Sequence, residues 1–124
     1  MTDCAVIVDD DFLIVAYLEE ALESLGWKVC GTAATAAAAV RTVLEHRPRF
    51  VLMDVRLKGR EDGIDAADRI YGEYPCPIIF ITGSREPETM ARIHQGHPAG
   101  VLTKPIMPGQ LGRAIEQALG ARSS

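Results

Sequence analysis

No apolar run in this sequence approaches the roughly 18–20 residues that a membrane span requires, so no transmembrane segment is expected. The start, Met1-Thr2-Asp3-Cys4, has no basic stretch, and Asp9 to Asp11 interrupt the first apolar run, which does not fit a secretory leader. Cysteine is scarce: three residues, at 4, 30 and 76, odd in number and without CxxC spacing. They read as free thiols in a reducing compartment, which excludes a disulfide framework or a zinc site. The 13 Lys and Arg are scattered and outnumbered by 17 Asp and Glu, for a formal net charge of -4. A broad basic surface for nucleic acid is therefore excluded. These absences together predict a cytoplasmic protein that touches neither membrane nor DNA.

What is present fits one globular domain. The chain has 124 residues, 48% hydrophobic and 24% charged, enough for a single core spanning about residues 4–120 and no second domain of ordinary size. Four short apolar runs stand out: Ala5-Val6-Ile7-Val8, Phe50-Val51-Leu52-Met53, Ile78-Ile79-Phe80-Ile81 and Val101-Leu102. None alternates with polar residues, as befits strands covered on both faces in a parallel sheet. Lys28-Val29-Cys30 is a weaker fifth run. Segments of helical spacing lie between them. Val15, Leu18, Leu22 and Leu25 form one stripe, closed by Gly26. Thr35 is placed to cap a second helix carrying Val40, Val43 and Leu44 on its inner side. Ile64, Ala67, Ile70, Tyr71 and Tyr74 form a third stripe. Glu86 to Gln95 is a sparse fourth, with Met90 and Ile93 as its large apolar residues. Pro108 to Ala121 is the fifth, with Leu111, Ile115 and Leu119. Five strand-then-helix units predict an α/β fold with right-handed crossovers and helices on both faces of the sheet. The tail Arg122-Ser123-Ser124 is expected to fray, and a chain that ends there is expected to carry no effector domain.

The residues that follow the apolar runs carry the chemistry. The first run ends in Asp9-Asp10-Asp11, the second in Asp54, the third in Thr82-Gly83-Ser84 and the last in Thr103-Lys104-Pro105. In an open α/β sheet the carboxyl ends of the strands form the ligand crevice, so these stretches converge on one edge. Several carboxylates at close quarters repel one another and demand a cation. A set made only of hard oxygens favours Mg²⁺, with Mn²⁺ as an alternative, over zinc or copper. A lysine and a threonine hydroxyl opposite the metal suit a phosphoryl group, and a central carboxylate can be its acceptor. Taken singly, each feature has a plainer reading. Acids before a helix complement its dipole, a threonine after a strand caps the next turn, and a lone lysine is a surface charge. Asp62-Gly63 reads as loop shaping and helix initiation. His46, His94 and His97 are scattered, and Arg92, Arg113 and Glu116 read as solvated charges.

Five motifs in order make the chain similar, over essentially its whole length, to the receiver domains of two-component response regulators. They are Val6-Ile7-Val8-Asp9-Asp10, Val51-Leu52-Met53-Asp54, Asp62-Gly63, Ile79-Phe80-Ile81-Thr82-Gly83 and Leu102-Thr103-Lys104-Pro105. The resemblance implies a flavodoxin-like (βα)5 three-layer sandwich with a parallel sheet of order 2-1-3-4-5. It implies that Asp54 accepts a phosphoryl group from a histidine kinase or phosphotransfer protein. Asp9, Asp10 and Asp54 would hold Mg²⁺, Asp9 mostly through water, with the backbone carbonyl of Arg56 as a further ligand. Thr82 and Lys104 would contact the phosphoryl oxygens, and the peptide before Pro105 is often cis in this family. Asp11 is expected to support the ligands from behind. The implied role is a stand-alone switch that signals by protein–protein interaction and is not a turnover enzyme. Two alternatives stay open: a Mg²⁺-dependent aspartyl-phosphate phosphohydrolase, for which Asp9 and Asp11 have DxD spacing, and a receiver-like interaction module without phosphorylation.

The sequence also departs from the family pattern. Val101 stands where an aromatic switch side chain is usual, so output is expected to rely on movement of the Thr82-to-Gly100 segment. The loop from Arg56 to Gly63 lacks its common proline, as in certain single-domain regulators paired with bacterial sensor kinases. Arg56 and Ser84 lie two residues after Asp54 and Thr82, positions that the resemblance implies would influence hydrolysis of the phosphoryl group.

Overall fold

The computed structural model describes residues 3–120, so the tail Arg122-Ser123-Ser124 lies outside the described residues. Five strands, β1 (Cys4–Val8), β2 (Lys28–Ala33), β3 (Phe50–Asp54), β4 (Ile78–Thr82) and β5 (Gly100–Thr103), form one parallel sheet in the order β2-β1-β3-β4-β5. Helices α1 (Phe12–Ser24), α2 (Ala36–His46), α3 (Gly63–Glu73), α4 (Pro87–Gln95) and α5 (Pro108–Ile115) connect and follow them. The predicted fold class and strand order are therefore those observed.

Successive residues of a strand point to opposite faces, and here both faces are covered. Val6, Val8, Val51, Met53, Ile78 and Phe80 pack with α2, α3 and Ile93 of α4 on one side. Ala5, Ile7, Phe50, Leu52, Ile79 and Ile81 pack with Leu18 and Leu22 of α1 and Leu111 and Ile115 of α5 on the other. Every residue of β1, β3 and β4 is buried, which is why those strands read as continuous apolar runs. Edge strand β2 exposes Lys28 and Thr32 and buries only Ala33, so its sequence signal is weak and it extends three residues beyond the predicted one. Trp27, just before it, meets Phe50 edge-on with centroids 4.9 Å apart.

The helix ends follow local chemistry. Thr35 caps α2 by accepting from the N–H of Ala38. Asp62 caps α3 in a reciprocal box with Asp65, each side chain meeting an otherwise orphaned backbone donor. Two stripes are narrower than predicted. Leu25 falls beyond the last turn of α1 and is 46% exposed, and Tyr71 faces outward, stacked on His97 with centroids 4.3 Å apart. Helix α5 ends at Ile115 and continues as one wider π-type turn to Gly120; the predicted terminus at Ala121 lies outside the described residues.

The cysteine expectation is corrected. Cys4 and Cys30 are joined by a disulfide, with Cα atoms 5.6 Å apart across 26 residues of sequence. Parallel pairing of β1 with β2 brings the two together, within the Cα separation that a disulfide spans. Neither spacing nor an odd count reveals strand adjacency. Cys76 is free, and burial pushes its thiol up to about 12.

One glycine is dictated by packing next to the site. The N–H of Gly63 donates to the carbonyl of Val55 at 2.8 Å, and a Cβ here would run into the backbone carbonyl of Asp54. Backbone cannot give way as a flexible side chain does. Gly63→Ala is expected to lower unfolding stability by about 3 kcal/mol, measured by urea denaturation.

Candidate functional site

The parallel register delivers four strand ends to one edge. Asp9 follows β1 and is anchored there by its N–H to the carbonyl of Ala33 at 3.0 Å. Asp54 closes β3 and lies opposite Ile81, while Thr82 closes β4 and lies opposite Thr103. Lys104 follows β5, its N–H donating to the carbonyl of Thr82 at 2.9 Å, and its peptide to Pro105 is cis. Asp9, Asp54 and Thr82 are 2%, 3% and 2% exposed, and the other buried side chains among the described residues are apolar or small.

Asp9, Asp10 and Asp54 each place one carboxylate oxygen within 4.8 Å of the others. Lys104 reaches between two of them, with Nζ 3.2 Å from Oδ1 of Asp54 and 3.4 Å from Oδ2 of Asp9. Three carboxylates against one ammonium leave two negative charges uncompensated. Oδ1 of Asp9 accepts from the N–H of Asp11 at 2.9 Å. Oδ2 is buried, and the approach of Lys104 at 3.4 Å is an ion pair without hydrogen-bond geometry. A buried oxygen so placed is costly unless a cation meets it. The donor set is all oxygen and suits a hard divalent cation in charge and chemistry.

The electrostatics follow. Burial first, then the charge of Asp9, pushes the Asp54 carboxyl up to about 6; Lys104 opposes this and Asp10 adds to it. For Lys104, burial works against the charge, but Asp54 and Asp9 outweigh it and hold the ammonium above its ordinary value. The Thr82 hydroxyl donates to the carbonyl of Ser84 and accepts from its N–H, both at 3.0 Å. Beside Asp54 opens a cavity of about 280 Å³ lined by Arg56, Thr82, Ser84, Thr89 and Lys104.

The structure thus brings together Asp9, Asp10, Asp54, Thr82 and Lys104, and sets Arg56 on the cavity wall. Asp11 supports the cluster through its backbone N–H alone, since its carboxylate caps α1 by accepting from the N–H of Leu13 at 3.0 Å. Asp62 and Gly63 shape the loop and begin α3, as read from sequence. Thr89 is not legible in the sequence: it sits in the first turn of α4, and only packing of that helix carries it to the cavity.

The acidic cluster sits at the carboxyl edge of a 2-1-3-4-5 parallel sheet, and residues 5–116 match the response regulator receiver domain. The chain belongs to the response regulator receiver family. The phyllosphere-induced regulator PhyR of Methylorubrum extorquens is 35% identical over 115 residues, covering 92% of this chain and 42% of that protein. The signal receiver domain of a modulated diguanylate cyclase from Desulfovibrio desulfuricans is 39% identical, covers 96% of this chain and 94% of its own, and superposes with a TM-score of 0.88. The anti-anti-sigma factor PhyR of Bartonella quintana is 32% identical, covering 99% of this chain and 49% of its own, with a TM-score of 0.81. The chain spans about half the length of the curated relatives it matches.

A carboxyl raised from 3.8 to about 6 is favoured neutral in the fold. Its contribution to stability is complete below about pH 4 and is lost as pH rises through about 6. Cation-free protein is therefore expected to lose stability over that window by on the order of 2 kcal/mol, with Asp54→Asn abolishing the slope. At pH 7 millimolar Mg²⁺ is expected to raise the melting temperature of the wild type and to raise that of Asp54→Asn much less; scanning calorimetry with and without EDTA checks both.

Proposed function

We propose that Asp54 accepts a phosphoryl group from a histidine kinase or phosphotransfer protein in a Mg²⁺-dependent reaction, and that the chain signals through protein–protein contact. The observation that carries this reading is the trio Asp9, Asp10 and Asp54 with Lys104 inserted between two of its members. A carboxylate oxygen of Asp54 attacks phosphorus, the P–N bond of the donor breaks, and the electron pair leaves on the imidazole nitrogen. Asp9, Asp10 and Asp54, with the carbonyl of Arg56, would hold the metal, which neutralises charge on the transferring group. Lys104 stays charged beside Asp54 and is placed to pair with a phosphoryl oxygen. Thr82 donates its proton to Ser84 here, so a bond to a phosphoryl oxygen requires it to release the Ser84 carbonyl.

The phosphohydrolase alternative needs Asp11 as an acid facing the reacting group, and that carboxylate is committed to capping α1. The chain is then a switch, and modification of Asp54 shifts a conformational population that a partner reads. A relative named as an anti-anti-sigma factor supports a protein partner for the output. Val101 is a half-buried side chain of β5 packed on the side of the sheet that holds Phe80 and Ile93; with no ring to rotate, transmission falls to the Thr82–Ser84 segment and α4.

Incubation with acetyl phosphate and Mg²⁺ is expected to add one phosphoryl group by intact mass, with no gain for Asp54→Asn or in EDTA. Arg56, exposed on the cavity wall, screens the acyl phosphate with its positive charge. Arg56→Ala is expected to shorten the lifetime of the phosphorylated protein about fivefold, as loss of about 1 kcal/mol of favourable charge interaction would give; the decay rate of the purified phosphoprotein checks it.

A further inference from the structure

Helix α4 is held to the rest of the molecule by little apolar surface. Ile93 is its one buried side chain, and Met90 is partly covered. Polar contacts hold its two ends. At the start, the Ser84 hydroxyl accepts from the N–H of Glu86 at 3.1 Å, the residue before the helix, and the Ser84 backbone is the partner of Thr82. At the other end, Arg92 reaches across to α3. Its Nη1 lies 2.8 Å from Oδ2 of Asp62, and Nη2 lies 3.3 Å from Oδ1 of Asp62 and 3.5 Å from Oδ1 of Asp65.

The Arg92 partners are not ordinary surface acids. Asp62 and Asp65 form the capping box that begins α3, and between them Gly63 abuts the backbone of Asp54. Asp62 is only 27% exposed in its side chain. Asp68, three residues further along α3, lies against the last turn of α4: a Cβ at Gly96 would sit 3.6 Å from its Oδ1. Asp62, Asp65 and Asp68 thus make one acidic stripe, and Arg92 is the cation of α4 set on it.

We propose that Arg92 is a positioning residue that latches the last turn of α4 to the first turn of α3 while Thr82 is bonded to Ser84, and that this latch opposes the conformation in which a phosphoryl group on Asp54 recruits Thr82. The inference rests on the phosphoacceptor reading above. Release of Ser84 by Thr82 loosens the start of α4, and the Arg92 fork resists the movement from the far end. A ligand that favours the moved helix must overcome the pair, so removing the pair tightens binding of that ligand by the same factor. The pair is partly exposed, and such pairs are modest, so the factor is about three- to fivefold rather than orders of magnitude.

The test titrates beryllofluoride with Mg²⁺, as a phosphoryl mimic, into wild type, Arg92→Gln, Asp65→Asn and Arg69→Gln, and follows amide exchange of residues 87–96 without the mimic. Asp65→Asn keeps an acceptor for the capping box and removes a charge facing Arg92. Arg69→Gln breaks an ion pair of comparable exposure, to Glu61 at 2.7 Å, that does not involve α4. Arg92→Gln is expected to bind the mimic about three- to fivefold more tightly and to exchange faster in α4, with Asp65→Asn shifted the same way by less and Arg69→Gln unchanged. Arg92→Lys, which retains the charge without the fork, is expected to fall between. Unchanged or weaker binding by Arg92→Gln, or an equal gain in Arg69→Gln, overturns the latch. A wild type that binds no beryllofluoride overturns the phosphoacceptor reading itself.

Discussion

The structure turns on an imbalance of charge at the carboxyl edge of the sheet. Two carboxylates, Asp9 and Asp54, are buried almost completely, a third stands beside them, and the ammonium of Lys104 pairs with the two buried ones. Burying charge in this way costs stability, and a fold selected for stability alone would put apolar residues there. The rest of the molecule compensates. Three fully buried strands and two apolar layers hold the cluster from both faces of the sheet, so repulsion cannot relax by spreading the strand ends. The site is a closely packed cradle with uncompensated negative charge, suited to a divalent cation.

Around that cradle the local chemistry is consistent. The N–H of Asp11 holds Asp9 while its side chain starts α1. Asp62 starts α3 beside the backbone of Asp54, where only glycine fits at 63. These devices fix β1, β3 and their loops. The opposite side of the site is looser. Buried Thr82 bonds to the backbone of half-buried Ser84, and α4 beyond them buries one side chain. Close packing on the side of the acidic cluster and weak anchoring on the α4 side are what the proposed switch requires, since a ligand must be held firmly while something nearby moves.

Much of this is legible in the sequence. Continuous apolar runs identify β1, β3 and β4 because those strands are covered on both faces, and polar residues at the run ends identify the site because parallel strands all terminate at the same edge. The misreadings share a cause. Leu25 and Tyr71 continue their helical stripes in sequence, but packing across the molecule leaves each 46% exposed. Arg92 reads as a solvated charge because its partners lie 30 and 27 residues away on another helix. Cys4 and Cys30 read as free thiols because nothing in their spacing says that their strands are neighbours.

The sequence by itself determined the order of strands and helices, the helix caps at Thr35 and Asp62, and the chemical identity of the cluster, because each depends on periodicity or on residues a few positions apart. The tertiary structure alone decided which distant side chains meet: Lys104 between Asp9 and Asp54, Thr89 at the cavity, Arg92 on the acidic stripe of α3, and the Cys4–Cys30 bridge. Those meetings depend on strand adjacency and helix packing across the whole core, and no short-range pattern encodes them.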